Sequence, residues 1–177
     1  MRKKFAAALA ATIAATGIVA PAAYADAPAP AADQQCTTNI PVDDINNNII
    51  PTVRAPQPNG AWMVNPDPAK SHFNSCDDLS FVQLVPQQQT DAQYDSVILM
   101  FHKGQYVGVD TTIPEQAFAF LNVTPQGFTA RYKDYEALQA AGAPFADAEK
   151  YYKDVTFTWD GSKVVTSGDF PNQNLGK

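Results

Sequence analysis

The sequence is poor in the residues on which several protein classes depend. Of its 177 residues, two are cysteine and two are histidine, and 12 lysines and arginines stand against 18 acidic residues, for a net charge of -6. So few cysteines and histidines exclude a cysteine-rich zinc module and a dense disulfide scaffold. The deficit of basic residues excludes the positive surface that a nucleic-acid-binding protein needs.

Apolar runs of near-membrane length are also scarce, and the one that stands out lies at the N-terminus. Residues 5–20 are almost wholly apolar, follow the basic residues 2–4 and precede a small-x-small motif at residues 23–25. This arrangement is typical of a secretory signal peptide, residues 1–25, cleaved between Ala25 and Asp26. One alternative is a retained membrane anchor, although the run is shorter than the roughly 20 residues that cross a bilayer. The other is cleavage after Ala27, which would place Pro28 directly after the cut.

Cleavage after Ala25 removes three basic residues and no acidic ones, so 9 basic residues remain against 18 acidic residues and the net charge becomes -9. We therefore expect a secreted or cell-envelope protein that binds no nucleic acid and is not stably inserted in a membrane. Residues 26–35 are expected to form an Ala/Pro-rich linker, residues 36–171 a single domain and residues 172–177 a C-terminal tail.

In an exported chain, two cysteines favour one disulfide, Cys36–Cys76. It would close a loop of 41 residues that contains six of the 14 prolines. The chain-entropy estimate for a loop of that length is about 4 kcal/mol. The alternatives are a reactive thiol pair and metal ligands, although the chain has no Cys-x-x-Cys spacing. The polar residues directly before Cys36 argue against lipid attachment to its sulfur.

Apolar spacing predicts a short helix from Val42 to Pro51, and four prolines then predict an irregular loop over residues 54–71. Period-two patterns predict strands at residues 79–85, 96–101 and 106–109, of which the second is apolar enough to be central. Two more hairpins are predicted within residues 118–132 and 155–167, with a short helix at 134–141 between them. Since turns join the strands, the sheet is expected to be antiparallel. The predicted fold class is α+β, with a short N-terminal helix and a Pro-rich loop packed on an antiparallel sheet of five or six strands.

Three segments of the chain resemble a known family. Residues 74–80 (NSCDDLS) are similar to the N-x-C-x-x-L-S segment of the LppP/LprE lipoprotein family of actinobacteria. Residues 99–106 (LMFHKGQY) are similar to the F-H-x-G-x-Y segment of that family, and residues 155–161 (VTFTWDG) are similar to its closing hairpin. Cys36 lies where that family has its first paired cysteine. The resemblance implies an exported cell-envelope protein and assigns it no catalytic residues. This chain lacks the lipidation motif, which favours a secreted location over a membrane tether.

Candidate catalytic groups are sparse. The chain has no Gly-x-Ser-x-Gly motif, phosphate-binding glycine loop or dinucleotide fingerprint, so no cofactor is expected. The acid pairs at 43/44 and 77/78 fit helix-terminal and turn positions better than a glycosidase pair. His72 is expected to be solvated or to brace its loop rather than to bind a metal. His102, at a strand end, is expected to bond a neighbouring backbone group; the alternative is that it faces a partner or substrate.

Tyrosine and tryptophan are the remaining candidates for function, because they offer a large contact area with few rotatable bonds. Trp62, His102 and Tyr106 are the predicted binding surface, with Trp62 and Tyr106 in one exposed patch. The alternative is that the aromatic residues form cross-strand pairs that stabilise the sheet. We predict a non-enzymatic binding or interaction module for an unknown envelope component or small ligand. An envelope-polymer hydrolase that uses His102 and a purely structural envelope protein are the other hypotheses.

Overall fold

The computed structural model describes residues 35–88, 95–113 and 115–175. The predicted signal peptide, its cleavage site and linker residues 26–34 lie outside the described residues. Within the described part of the chain, no helix has the length and apolar character needed to cross a bilayer.

The helix predicted after residue 42 is confirmed, but its winding changes along its length. It begins as an α-helical turn, α1 (Val42–Asp44), continues as a π-helical segment (Ile45–Ile49) and ends as a 3₁₀ turn (Ile50–Thr52). Ile45 and Ile49 are buried, which accounts for the apolar spacing. The segment ends at Pro51 and Thr52, because proline has no backbone N–H with which to continue a helix.

The first sheet, sheet I, contains five antiparallel strands. They are β1 (Trp62–Val64), β2 (Ser71–His72), β3 (Ser80–Pro86), β4 (Val97–His102) and β5 (Gln105–Val109). Their order is β1-β3-β4-β5, and the short β2 also pairs with β3. The central position predicted for the apolar run at 96–101 is confirmed, since β4 lies between β3 and β5 and five of its six residues are buried.

The second sheet, sheet II, contains the two later hairpins. Its strands are β6 (Ala117–Thr124), β7 (Gly127–Lys133), β8 (Tyr152–Trp159) and β9 (Val164–Ser167), paired antiparallel in chain order. Between β7 and β8 lie the predicted short helix, α2 (Tyr135–Ala140), and a 3₁₀ segment (Phe145–Lys150). The Asp134 side chain caps α2 by accepting a hydrogen bond from the Ala137 N–H at 2.9 Å.

The predicted single sheet of five or six strands is corrected by this arrangement. The described residues form nine strands in two sheets, so the fold contains more β structure than the α+β prediction implied, although the short helix is present. The physical reason is that alternation of apolar residues identifies a buried face without identifying what covers it. The apolar faces of the later hairpins pack onto sheet I instead of extending it.

Two hydrophobic clusters lie on opposite faces of sheet I. One lies between the sheets and combines Phe81, Ile98 and Met100 with the inward residues of sheet II, including Phe128 and Phe157. The other is covered by the N-terminal helical segment and contains Ile45, Ile49, Trp62, Phe73, Val82, Leu84, Val97, Leu99 and Phe101. Strands β3 and β4 are therefore buried on both faces, which explains their nearly continuous apolar sequences.

Polar side chains join the two sheets along one side. The buried amide of Gln83 donates to the carbonyl of Ala117 at 2.8 Å, and the Ser96 hydroxyl donates to the carbonyl of Glu115 at 2.8 Å. An isolated bridge between Ser96 and Glu115 reinforces this connection. On the opposite side, each sheet ends in an edge strand, β5 in sheet I and β9 in sheet II.

The predicted disulfide is confirmed. Cys36 and Cys76 are bonded, with their Cα atoms 5.3 Å apart. The crosslink fastens the start of the described chain to the turn before β3, where Thr37 and Ser75 also exchange hydrogen bonds at 2.9 Å. Both cysteines of the chain are therefore occupied.

Candidate functional site

A cleft of about 520 Å³ opens between the two edge strands β5 and β9. We call it the edge cleft. Its apolar wall is formed by six side chains from both sheets: Met100, Val107, Val109, Phe157, Trp159 and Val164. Its volume falls within the range of roughly 300–1,000 Å³ that is typical of small-molecule sites. Val107 is 41% exposed although it lies on the inward face of its strand, because no part of the described chain covers it.

Asp110, directly after β5, is the buried carboxyl group of this cleft. Its Oδ1 atom accepts a hydrogen bond from the Ile98 N–H at 2.9 Å, and its Oδ2 atom accepts one from the Tyr132 hydroxyl at 2.6 Å. These two donors fix the orientation of the carboxyl group. Each oxygen keeps further lone-pair capacity, so Asp110 can accept a hydrogen bond from a ligand.

Burial changes the acid–base properties of this region. It raises the pKa of Asp110 to about 6, even though hydrogen bonds from Tyr132 and Ile98 oppose the shift. Burial also raises the pKa of the neighbouring Glu115 to about 7, and the charge of Asp110 adds to that shift. The Tyr132 hydroxyl is buried against the Asp110 carboxylate, so its pKa lies well above the usual value. Removing these carboxyl groups from water disfavours their ionised forms.

Trp159 forms an immobilised aromatic wall at the end of β8. Its ring stacks on His102 with centroids 3.9 Å apart and an interplanar angle of 14°. The His102 Nδ1 atom in turn lies 2.7 Å from the main-chain carbonyl oxygen of Asp78. Because a carbonyl oxygen only accepts, Nδ1 carries a proton and donates it to this bond. The expected backbone bond of His102 is therefore confirmed, and its ring holds the tryptophan in place.

The rim of the edge cleft is polar. It is lined by Ser162 and Lys163 of the turn between β8 and β9 and by Thr166 of β9. The Asp160 carboxylate accepts hydrogen bonds from the backbone N–H groups of Ser162 and Lys163, both at 2.9 Å, and these bonds lower the pKa of Asp160. The turn is therefore preorganised, and it places the positive charge of Lys163 at the rim of the cleft.

The structure separates the three residues that the sequence predicted as a binding surface. Trp62 is only 2% exposed, and its indole N–H donates to the carbonyl of Arg54 at 2.8 Å. Tyr106 lies on the face of β5 opposite the edge cleft, where it is half-buried against Phe101. Trp62 and Tyr106 thus do not share an exposed patch, and of the three only His102 contacts a wall of the edge cleft.

Sequence reasoning missed Asp110 and Trp159 as site residues. Trp159 was recognised as part of the alternating pattern of the last hairpin, but its neighbour His102 is 57 positions away in the chain. Asp110 follows a predicted strand in the way that many exposed turn residues do, and its burial depends on Tyr132 from the other sheet. The only sequence signal for Asp110 is that it is a single acidic residue directly after a predicted strand.

His72 is also explained by a local role. Its Nε2 atom lies 2.9 Å from the Asp77 carboxylate, which also accepts from the Asn74 side chain. This network braces the loop before β3, as expected. Within the described residues, no group of three or more histidine, cysteine or acidic side chains is arranged to hold a metal ion.

Comparison with known proteins identifies one family. The family model of the LppP/LprE lipoproteins matches residues 71–162, just over half of the chain. No curated protein and no solved structure matches the chain. The matched region includes His102, Asp110 and Trp159, whereas Cys36, Trp62 and β9 lie outside it. The lipoprotein match and the disulfide together indicate an extracytoplasmic, envelope-associated protein.

Proposed function

Because the chain belongs to the LppP/LprE lipoprotein family, we propose that it is a non-enzymatic binding module of the cell envelope whose ligand occupies the edge cleft. The observation that carries the proposal is the open cleft of about 520 Å³ between two edge strands, with an aromatic wall and one buried carboxyl group. Its ligand has an apolar or ring-shaped face for Trp159 and a hydrogen-bond donor for Asp110.

The preorganisation of the cleft walls supports this proposal. His102 holds the ring of Trp159, and Tyr132 and the Ile98 N–H hold the carboxyl group of Asp110. A ligand would therefore meet side chains whose rotamers are already fixed, which lowers the entropic cost of binding. A role in packing alone does not explain why the inward face of Val107 is left uncovered.

The state of the cysteines supports a location without a lipid anchor at Cys36. That sulfur is bonded to Cys76, so it cannot also form a thioether to a lipid. In this proposal, cleavage between Ala25 and Asp26 releases a chain with a net charge of -9 that remains in the envelope or is secreted. Mass spectrometry of the exported protein tests this point, since an N-terminus at Asp26 is expected and an intact N-terminal segment would contradict it.

The test of the binding site uses two exposed valines on neighbouring edges. Val107 is 41% exposed and lines the edge cleft, whereas Val165 is 37% exposed and alternates to the other face of β9. The wild-type chain and the variants Val107→Lys and Val165→Lys are immobilised from residue 26 onward and incubated with small molecules extracted from the envelope. The retained compounds are then identified by mass spectrometry.

We expect the wild-type chain and Val165→Lys to retain the same compound and Val107→Lys to lose it, because a lysine side chain at that position places a charge in the cleft. Circular dichroism and the melting temperature check that both variants are folded. Equal retention by all three chains would place the ligand elsewhere, and no retained compound would remove the proposal.

A further inference from the structure

A second, smaller cavity lies on the other face of β5. It has a volume of about 240 Å³ and lies between the end of the N-terminal helical segment, β4, β5 and residues 111–112. We call it the arginine pocket, because Arg54 lines it together with Thr52, Tyr106, Thr111 and Thr112, and with three valines: Val53, Val97 and Val109. It shares Val109 with the edge cleft but opens on the opposite side of sheet I.

The polar groups of the arginine pocket supply more donors than acceptors. Thr52 already donates its hydroxyl proton to the carbonyl of Ile49 at 2.8 Å. Thr111 accepts a hydrogen bond from the Ile113 N–H at 3.3 Å, which leaves its own O–H available. Within the described part of the chain, the Arg54 guanidinium and the Thr112 hydroxyl form no hydrogen bond or ion pair. An arginine presents five N–H donors and no acceptor, so the occupant must supply the acceptors.

The main chain of Arg54 is held in place, whereas its side chain is exposed and has no ionic partner among the described residues. Its main-chain carbonyl accepts the hydrogen bond from the buried Trp62 indole at 2.8 Å. Trp62 therefore anchors the residue at the pocket without contributing to an exposed surface. Among the described residues, no carboxylate lines the cavity.

We propose that the arginine pocket binds a small amphipathic anion, with its charged head on Arg54 and the hydroxyls of Thr111 and Thr112 and its apolar part on Val53, Val97 and Val109. A carboxylate or phosphate head accepts several N–H and O–H bonds at once and pairs with the planar guanidinium in two-point geometry. The cavity volume lies below the usual range for drug-sized ligands, so the apolar part is short. This site is separate from the edge cleft and does not depend on the function proposed for it.

The probe is octanoate, compared with 1-octanol and octylamine, which have the same chain length with a neutral or a positive head. Titration of the chain from residue 26 onward is followed by amide chemical shifts in NMR spectra. We expect octanoate to cause saturable shifts in the signals of Arg54, Thr111 and Thr112. We expect 1-octanol to bind at least about tenfold more weakly, and octylamine to cause no saturable shift of these signals.

Two substitutions separate this site from the edge cleft. Arg54→Gln is expected to weaken octanoate binding about tenfold or more, and Arg54→Lys to restore part of it, because lysine keeps the charge but loses the planar fork. Lys163→Gln removes the same charge from the rim of the edge cleft and is expected to leave octanoate binding unchanged. The proposal is overturned if 1-octanol binds as well as octanoate, or if the Arg54→Gln variant binds octanoate as tightly as the wild type. It is also overturned if no saturable shift appears below about 10 mM octanoate, since a dissociation constant of that size corresponds to a binding free energy of only about 3 kcal/mol.

Discussion

Replacing Asp110 with asparagine tests how burial controls the charge in the edge cleft. The asparagine side chain would keep a similar shape, with an oxygen that accepts from the Ile98 N–H and an amide that donates to the Tyr132 oxygen. The variant cannot ionise at this position. It therefore mimics the protonated aspartic acid at every pH, and the comparison isolates the cost of the buried charge.

The sign of the effect follows from the pKa of the carboxyl group in the two states. Burial raises the pKa of Asp110 from 3.8 to about 6 in the folded protein. The folded state then binds more protons than the unfolded state between these values, so this group lowers the free energy of unfolding as pH rises from about 4 to 6. A pKa difference of roughly two corresponds to about 3 kcal/mol of the free energy of unfolding. This contribution of Asp110 is present at low pH and is fully lost above the folded-state pKa.

Urea unfolding of the wild-type and Asp110→Asn chains at several pH values measures this effect. The free energy of unfolding of the variant should exceed that of the wild type by about 3 kcal/mol more at pH 8 than at pH 3. Titrating groups far from Asp110 contribute equally to both chains and cancel in the difference. Glu115 does not cancel fully, because the charge of Asp110 raises its pKa, but its change acts in the same direction as the expected effect. A matched control is Asp160→Asn. That carboxylate is exposed and its pKa is lowered by backbone hydrogen bonds, so its removal should lower the free energy of unfolding at neutral pH and leave it unchanged at low pH.

The reasoning is refuted if the difference in free energy of unfolding between the wild type and Asp110→Asn stays constant with pH. It is also refuted if that difference changes in favour of the wild type as pH rises.

Two other substitutions test the fold. The double variant Cys36→Ser, Cys76→Ser should have a free energy of unfolding in urea about 4 kcal/mol below that of the wild type. Reduction of the wild-type disulfide should cause a similar loss. A loss below about 1 kcal/mol would contradict the loop-closure argument. Gly127→Ala should cost about 3 kcal/mol, because a Cβ atom there would lie 2.1 Å from the Phe157 carbonyl oxygen of the neighbouring strand. The control is Gly142→Ala, where φ is +60° and a Cβ atom would meet open space, so the expected loss is only about 1 kcal/mol. An equal loss for both alanine variants would show that the close contact between β7 and β8 does not cause the loss at Gly127.

Most strand and helix positions could be predicted because their signals are local. The double-sided burial of β3 and β4 is visible as continuous apolar sequence, and the later hairpins are visible as alternation on either side of turns that contain Gly127 and Gly161. The disulfide also followed from the residues alone, since an exported chain with two cysteines has one way to pair them within itself. The division into two sheets did not follow, because alternation is the same whether a hairpin extends a sheet or stacks on it.

The candidate sites were predicted less well for the same reason. The prediction for Trp62 rested on the contact area that its side chain offers, but its burial and its bond to Arg54 depend on how the loop folds onto sheet I. His102 was expected to bond the backbone, and it does, but its stacking on Trp159 needs the two sheets to face each other. No local pattern distinguishes Asp110 from an exposed turn residue.

The sequence by itself determined the helical segment, the antiparallel strands and the disulfide. Each of these depends on residues that are close in the chain or on a pairing with no competitor. Only the tertiary structure decided where the sheets part to form the edge cleft, why Asp110 is buried against Tyr132, and that Arg54 and Tyr106 line the same pocket. These features depend on contacts between distant segments, which are set by the packing of whole faces and not by the order of residues along any one of them.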